Sequence, residues 1–173
     1  MCDAFLVLAH TDKGLSCFLL PRCRPDGTKN PMQVLRLKKK MGNASNASSE
    51  TELRGALAWM VGEEGRGVRT IIEMVSMTRF DCMIGYSAGQ RAAVSQALHH
   101  CSLRSAFGKV LNQQPLMQNV LADLVLESEG SLALTMRMAR AMDQRATDPH
   151  EDQMARLLTA VGKYWICKRT PQH

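Results

Sequence analysis

The chain has 173 residues, 45% of them apolar but only 5% aromatic, with 12 methionines, so its length supports one ordinary domain or pieces of two, with a core of Leu, Val, Ala and Met. Its formal charge of +6 suits an anionic partner (nucleic acid, a membrane surface or a phosphorylated ligand) without choosing among them. The longest apolar runs are too short to span a bilayer, and Met1-Cys2-Asp3-Ala4 lacks the basic start of a signal peptide; no membrane association and a cytoplasmic location are expected.

Ala4 to Ala9 is a short apolar run, Thr11-Asp12-Lys13-Gly14 carries turn chemistry, and Leu15 to Leu20 is a second run; together they predict a β-hairpin. Pro21 and Pro25-Asp26-Gly27 close that unit. Further strands are expected around Gln33–Leu37 and Glu50–Trp59, split by a polar loop at Asn43–Ser48. A stable sheet usually needs more strands than this, so additional β structure is expected upstream. The basic run Arg36-Leu37-Lys38-Lys39-Lys40 reads as a solvated turn, because no aromatic stacking residue lies nearby.

From Gly65-Arg66-Gly67 the period changes to a helical one. Ile71, Met74, Val75, Cys82, Tyr86, Ala93, Ala97 and Cys101 keep helical spacings and predict one long buried stripe, with Gly85 and Gly89 placed to let another helix come close. Gly108 marks a break. A second helix is predicted from Pro115 to about Asp143, since proline suits the first helical turn. The third starts at Asp148-Pro149, where Asp148 caps and Glu151 gives a capping-box spacing; Met154, Leu157, Leu158, Val161 and Trp165 line one face. Lys168 and Arg169 suit the negative end of that helix. The expected fold is α+β: a partial antiparallel β domain over 1–64 and a helical bundle of about three long helices over 65–173.

No residue set is a strong catalytic motif by itself. Gly65-x-Gly67 lacks the third glycine of a dinucleotide fingerprint. Adjacent His99 and His100 diverge on a helix and cannot share a metal. The six cysteines form no C-x-x-C pair and read as free thiols. Arg104, Phe107 and Gln114 gather at a helix–break–helix junction, where an Arg, an aromatic face and free helix N–H groups can hold a phosphate and stack a flat ring. The same residues also make a plain corner with a packed Phe and a surface Arg, and taken alone they favour the corner.

The string Arg104-Ser105-Ala106-Phe107-Gly108-Lys109-Val110-Leu111, with Gln114 shortly after, resembles the R-x-x-F-G motif of the acyl-CoA dehydrogenases. Arg36–Ser48 is similar to the segment leaving that family's middle β domain, and Trp59–Gly67 to the entry into its C-terminal helical domain. Thr78-Arg79-Phe80-Asp81-Cys82 and Ile166-Cys167-Lys168-Arg169 extend the likeness, which is greatest to the DNA-alkylation-response branch.

The resemblance implies an FAD-dependent oxidoreductase that takes a proton from the α carbon of an acyl-CoA thioester while hydride leaves the β carbon. It implies cofactor contacts at Arg104, Phe107, Leu111 and Gln114, the flavin often belonging to a neighbouring subunit of a homo-oligomer, and a place for Arg79 in the substrate pocket. It implies no catalytic base in this chain: most members carry that glutamate beyond the segment matching Ile166-Cys167-Lys168, and others at the position of Thr78. Ala44 stands where near relatives usually have Arg. The chain is therefore expected to be inactive by itself. The alternatives are an alkylation-response flavoprotein that binds nucleic acid, or a non-catalytic helical assembly module.

Overall fold

The computed structural model describes residues 2–173; Met1 lies outside the described residues. The chain divides into two compact units, Met1–Met74 and Val75–His173.

The first unit is antiparallel β structure. β1 (Ala4–Thr11) and β2 (Gly14–Pro21) form the expected hairpin, and β2 also pairs with β5 (Trp59–Val61), giving the order β1-β2-β5. β3 (Met32–Leu37) and β4 (Ser49–Leu53) make a separate hairpin, with a register shift between Val34 and Arg36. The strand expected over Glu50–Trp59 is thus two strands. Gly55, at φ 73°, turns the chain between them in a conformation that side chains disfavour.

The apolar core of this unit is small, and polar pins complete it. Cys17 and Leu20 are buried beside Ser16 and Asn30. Asn30 donates through Nδ2 to the carbonyls of Pro21 (2.8 Å) and Leu57 (2.7 Å) and accepts from the Leu57 N–H (2.8 Å). Ser16 Oγ accepts from the Gly65 N–H (2.8 Å). A Cβ at Gly67 would run into the backbone of Ser16 and Cys17, so glycine is what lets the helix start lie against β2. The basic run is structural in part. Arg36 forms a two-pronged pair with Glu50 (2.9 and 2.7 Å), and the Lys40 ammonium donates to Asn43 O, Asn46 O and Ser48 Oγ (2.6, 2.8 and 3.0 Å), organising the polar loop from within.

The second unit is a bundle of α1 (Gly67–Leu103, mostly within it), α2 (Pro115–Gln144) and α3 (Pro149–Arg169). Contacts set an up-down-up arrangement. Arg91 meets Glu129, and Arg137 meets Glu151, so α2 runs against both neighbours; Gln90 Nε2 donates to Thr170 Oγ1 (3.0 Å), so α1 and α3 run together. The core is Met83, Met138, Leu158 and Ile166, flanked by Phe80, Leu134, Met142 and Met154.

Four helix expectations are corrected. The buried stripe of α1 in this unit is Met83, Ser87, Gln90, Val94 and Cys101; Tyr86 and Ala93 face outward and Cys82 is only half-buried. The face is turned by one residue because it buries small polar side chains that an apolar count passes over. In α3 the inner face is Ala155, Leu158, Thr159, Gly162 and Ile166, while Leu157, Val161 and Trp165 are exposed. Close approach falls at Gly162, where a Cβ would stand 2.6 Å from Met83 Cε; around Gly85 and Gly89 there is open space. The cap of α3 also differs. Asp148 caps as expected, accepting from the His150 N–H (2.9 Å), but Glu151 does not fold back to close a box. It reaches across to α2 and takes both arms of Arg137 (2.7 and 3.0 Å).

Candidate functional site

The corner between α1 and α2 is a built structure. α1 ends at Leu103, and the Arg104 N–H still donates to His100 O (3.0 Å). Ser105–Ala106 (β6) and Lys109–Val110 (β7) then form a miniature hairpin in which Ala106 pairs with Lys109. Its two-residue loop is Phe107-Gly108, with φ of 51° and 78°. A loop with both residues left-handed matches the twist of a tight hairpin, which is why glycine stands at 108. Phenylalanine is not suited to that conformation, and holding it there costs about 1–3 kcal/mol. The surrounding bonds keep it in place. Leu111 N–H closes back on Arg104 O (2.8 Å), and Gln114 Nε2 donates to Ala106 O (3.0 Å).

The result is a fully exposed aromatic ring, 100% accessible, on a rigid turn. A large apolar side chain without cover in a strained conformation is a feature with a use rather than a packing solution. Beside it the Arg104 side chain is exposed and makes no ion pair or side-chain hydrogen bond among the described residues. Gln114 then begins α2, with Pro115 in the first turn and no side chain capping it, so the first-turn N–H groups are open. An unpaired guanidinium and open helix N–H groups suit an anion, and Phe107 suits a flat ring. Half-buried Leu111 leads into the turn that precedes α2. Gln114 is braced to the hairpin and acts as a strut, a role the sequence spacing does not reveal.

Arg79 lies elsewhere. It is exposed on α1 and separated from the end of that helix by roughly 36 Å at 1.5 Å per residue. One copy of the chain therefore does not bring Arg79 and Arg104 into a common pocket. Thr78 Oγ1 donates to the Val75 carbonyl (2.8 Å). Among the described residues no group of three His, Cys, Asp or Glu is arranged to hold a metal, and no described helix is long and apolar enough to cross a membrane.

Comparison with known proteins gives consistent neighbours. The sequence profile of the acyl-CoA dehydrogenase C-terminal domain matches residues 65–172. The chain is 52% identical to AidB of Escherichia coli K12 over 96% of its own length and 31% of that protein. It is 32% identical to acyl-CoA dehydrogenase family member 11 of Caenorhabditis elegans over 91% of its length and 26% of that protein. The crystal structure of C. elegans ACDH-11 in complex with C11-CoA superposes with a TM-score of 0.88 at 30% identity, covering 97% of this chain and 30% of that one. Butyryl-CoA dehydrogenase of Megasphaera elsdenii shares the fold, with a TM-score of 0.74 at 20% identity. The chain spans roughly a quarter to a third of the length of these two curated relatives.

Proposed function

The chain belongs to the acyl-CoA dehydrogenase family, and we propose that residues 104–116 are its share of an FAD site in an acyl-CoA dehydrogenase-like oxidoreductase of the AidB type. Members of the family use FAD, which supplies a hydride acceptor when bound. The observation that carries the reading is the Phe107-Gly108 turn, which holds an uncovered ring beside an unpaired arginine at an uncapped helix start.

Each residue has a distinct task. Arg104 pairs with phosphate oxygens, its planar fork allowing two parallel N–H···O bonds. The first-turn N–H groups of α2 add donors of the same polarity. Phe107 offers a face to a flat ring, Leu111 gives apolar support, and Gln114 fixes the hairpin that presents them. Arg79 serves the acyl-CoA side. Since α1 holds it far from Arg104, a complete site draws these arginines from different copies, and the working unit is a homo-oligomer. Thr78 has no carboxylate to act as a general base, so the chain by itself binds cofactor without turning over a thioester. The expected place of action is the cytoplasm.

The test is the visible absorption spectrum of the purified chain after incubation with FAD and removal of free flavin. Near-stoichiometric flavin, lost in Arg104→Ala and in Phe107→Ala, supports the reading. No retained flavin in a chain with native helical circular dichroism would overturn it. Salt-sensitive DNA binding without flavin would instead favour a nucleic-acid role for the +6 chain.

A further inference from the structure

On the reading of residues 104–116 as a cofactor site, we propose that Lys109 is its second cation. Lys109 and Arg104 together take a diphosphate, two adjoining anionic phosphates, in preference to a single phosphate. The pairing of the small hairpin puts both cations on one face. Ser105 is opposite Val110 and Ala106 opposite Lys109, and the Leu111 N–H donates to Arg104 O (2.8 Å), carrying the ladder one pair further. Cross-strand partners share a face, and successive residues of a strand alternate between faces. Arg104, Ala106, Lys109 and Leu111 therefore lie on one side of the hairpin, Ser105 and Val110 on the other. Lys109 is the diagonal neighbour of Arg104, and such neighbours stand about 7–8 Å apart, within joint reach of two long side chains. Ala106, the smallest side chain of that face, lies between them and leaves room for an anion.

The charge around this face is one-sided. From Cys82 to Ala122 the chain contains no Asp or Glu. Lys109 is exposed and, like Arg104, has no carboxylate partner among the described residues. Elsewhere Arg36, Arg91, Arg137 and Arg169 each meet a glutamate. Two like charges held this close without a counter-charge repel each other, so the free face is disfavoured until an anion sits between them.

The geometry also selects the anion. A single phosphate satisfies the planar fork of Arg104 and leaves the lysine ammonium, a separate point charge, with nothing to bind. A diphosphate extends over Ala106 and gives each cation a phosphate of its own. The Phe107-Gly108 turn, with both residues left-handed, joins the two strands and fixes the spacing between the cations. Lys109 leaves that turn directly, so the same device that presents the Phe107 ring also presents the lysine.

The test is calorimetric titration of the chain with inorganic pyrophosphate and, separately, with inorganic phosphate, at neutral pH and low ionic strength. The unaltered chain is expected to bind pyrophosphate about tenfold more tightly than phosphate. Lys109→Met is expected to lose about that factor for pyrophosphate and little for phosphate, while Lys109→Arg keeps the preference. Lys168→Met, which removes the same charge from an exposed position on α3, is expected to alter neither affinity. Lys109→Met changes an exposed side chain and no backbone donor, so helical circular dichroism and the Gly108 amide resonance should match those of the unaltered chain. The proposal is overturned if the unaltered chain shows no preference for pyrophosphate, if Lys109→Met keeps that preference, or if Lys168→Met loses it as well. The flavin reading is judged separately. A chain that prefers pyrophosphate but retains no FAD would remove the flavin and leave the two-cation site, whereas equal FAD affinity with and without Lys109 would keep the flavin and remove Lys109 from its site.

Discussion

The two units are held together by different means. In the β unit few large side chains are fully buried, and side-chain hydrogen bonds to the backbone fix the connections: Asn30 ties Pro21 to Leu57, Ser16 holds Gly65, and Lys40 gathers its own loop. In the helical unit Met83, Met138, Leu158 and Ile166 interlock, and in one pair, Arg137–Glu151, the carboxylate is buried while the arginine stays partly exposed. The contrast teaches that a short, locally folded β unit is specified by directional bonds at a few turns. A bundle is specified by shape along its length, and there most buried polar side chains are small or paired, the Gln90 carbonyl oxygen being an exception.

Substitutions that attack each means separately test the contrast. The largest loss is expected from Met138→Ala. It empties a fully buried site and should cost about 3–4 kcal/mol, read as a lower urea midpoint with the fastest new amide exchange in residues 75–173. Arg137→Met comes next. It strands the Glu151 carboxylate, whose side chain is only 7% exposed; discounting for the partly exposed arginine, about 2–3 kcal/mol is expected. Asn30→Ala is expected to cost about 2 kcal/mol by leaving three backbone groups without their partner, with new exchange confined mainly to residues 2–74. If Asn30→Ala instead loosened the bundle as much as Met138→Ala does, the distinction between the units would be wrong.

The same contrast governs what the sequence disclosed. Turn residues are local, so the β1–β2 hairpin and the Pro115 and Asp148-Pro149 helix starts were readable almost to the residue. Even the break inside Glu50–Trp59 had its signal in Gly55. Buried faces are not local. Ser87 and Gln90 of α1, Ser128 and Ser131 of α2 and Thr159 of α3 look like surface residues on a helical wheel, yet they form the inside. Leu157, Val161 and Trp165 look like core and lie outside, Trp165 carrying the Arg169 guanidinium 4.5 Å from its ring centre. At the candidate site the residue types were legible, but the conformation of Phe107 was not, because phenylalanine avoids positive φ unless its surroundings impose it. The Glu151–Arg137 pair was hidden for a related reason: the spacing from Asp148 suggests a local partner, and the real one comes from α2.

A smaller effect is expected from pH. The Arg169 guanidinium holds the Glu127 carboxyl below its ordinary value. A depressed carboxyl contributes stability above its unfolded pKa and loses it as pH falls through the lower folded value. Acid below the usual carboxylate range should therefore weaken the α2–α3 contact, and Glu127→Gln should remove that part of the slope. The pair is partly solvated, so the change should stay within about 1 kcal/mol.

The least effect is expected where the bundle keeps a polar group it does not fully satisfy. Gln90 is 1% exposed; its Nε2 donates to Thr170 Oγ1, but its Oε1 finds no partner among the described residues. Thr170 Oγ1 keeps its own bond to the Ile166 carbonyl (2.8 Å) whatever stands at position 90. Gln90→Met preserves length and volume, forfeits one hydrogen bond and relieves one buried unpaired oxygen. These terms oppose each other at about 1 kcal/mol each, so the urea midpoint should barely move. A loss as large as that of Arg137→Met would mean that Gln90 Oε1 is satisfied in solution by an ordered water. The helical unit would then depend on directional bonds as the β unit does.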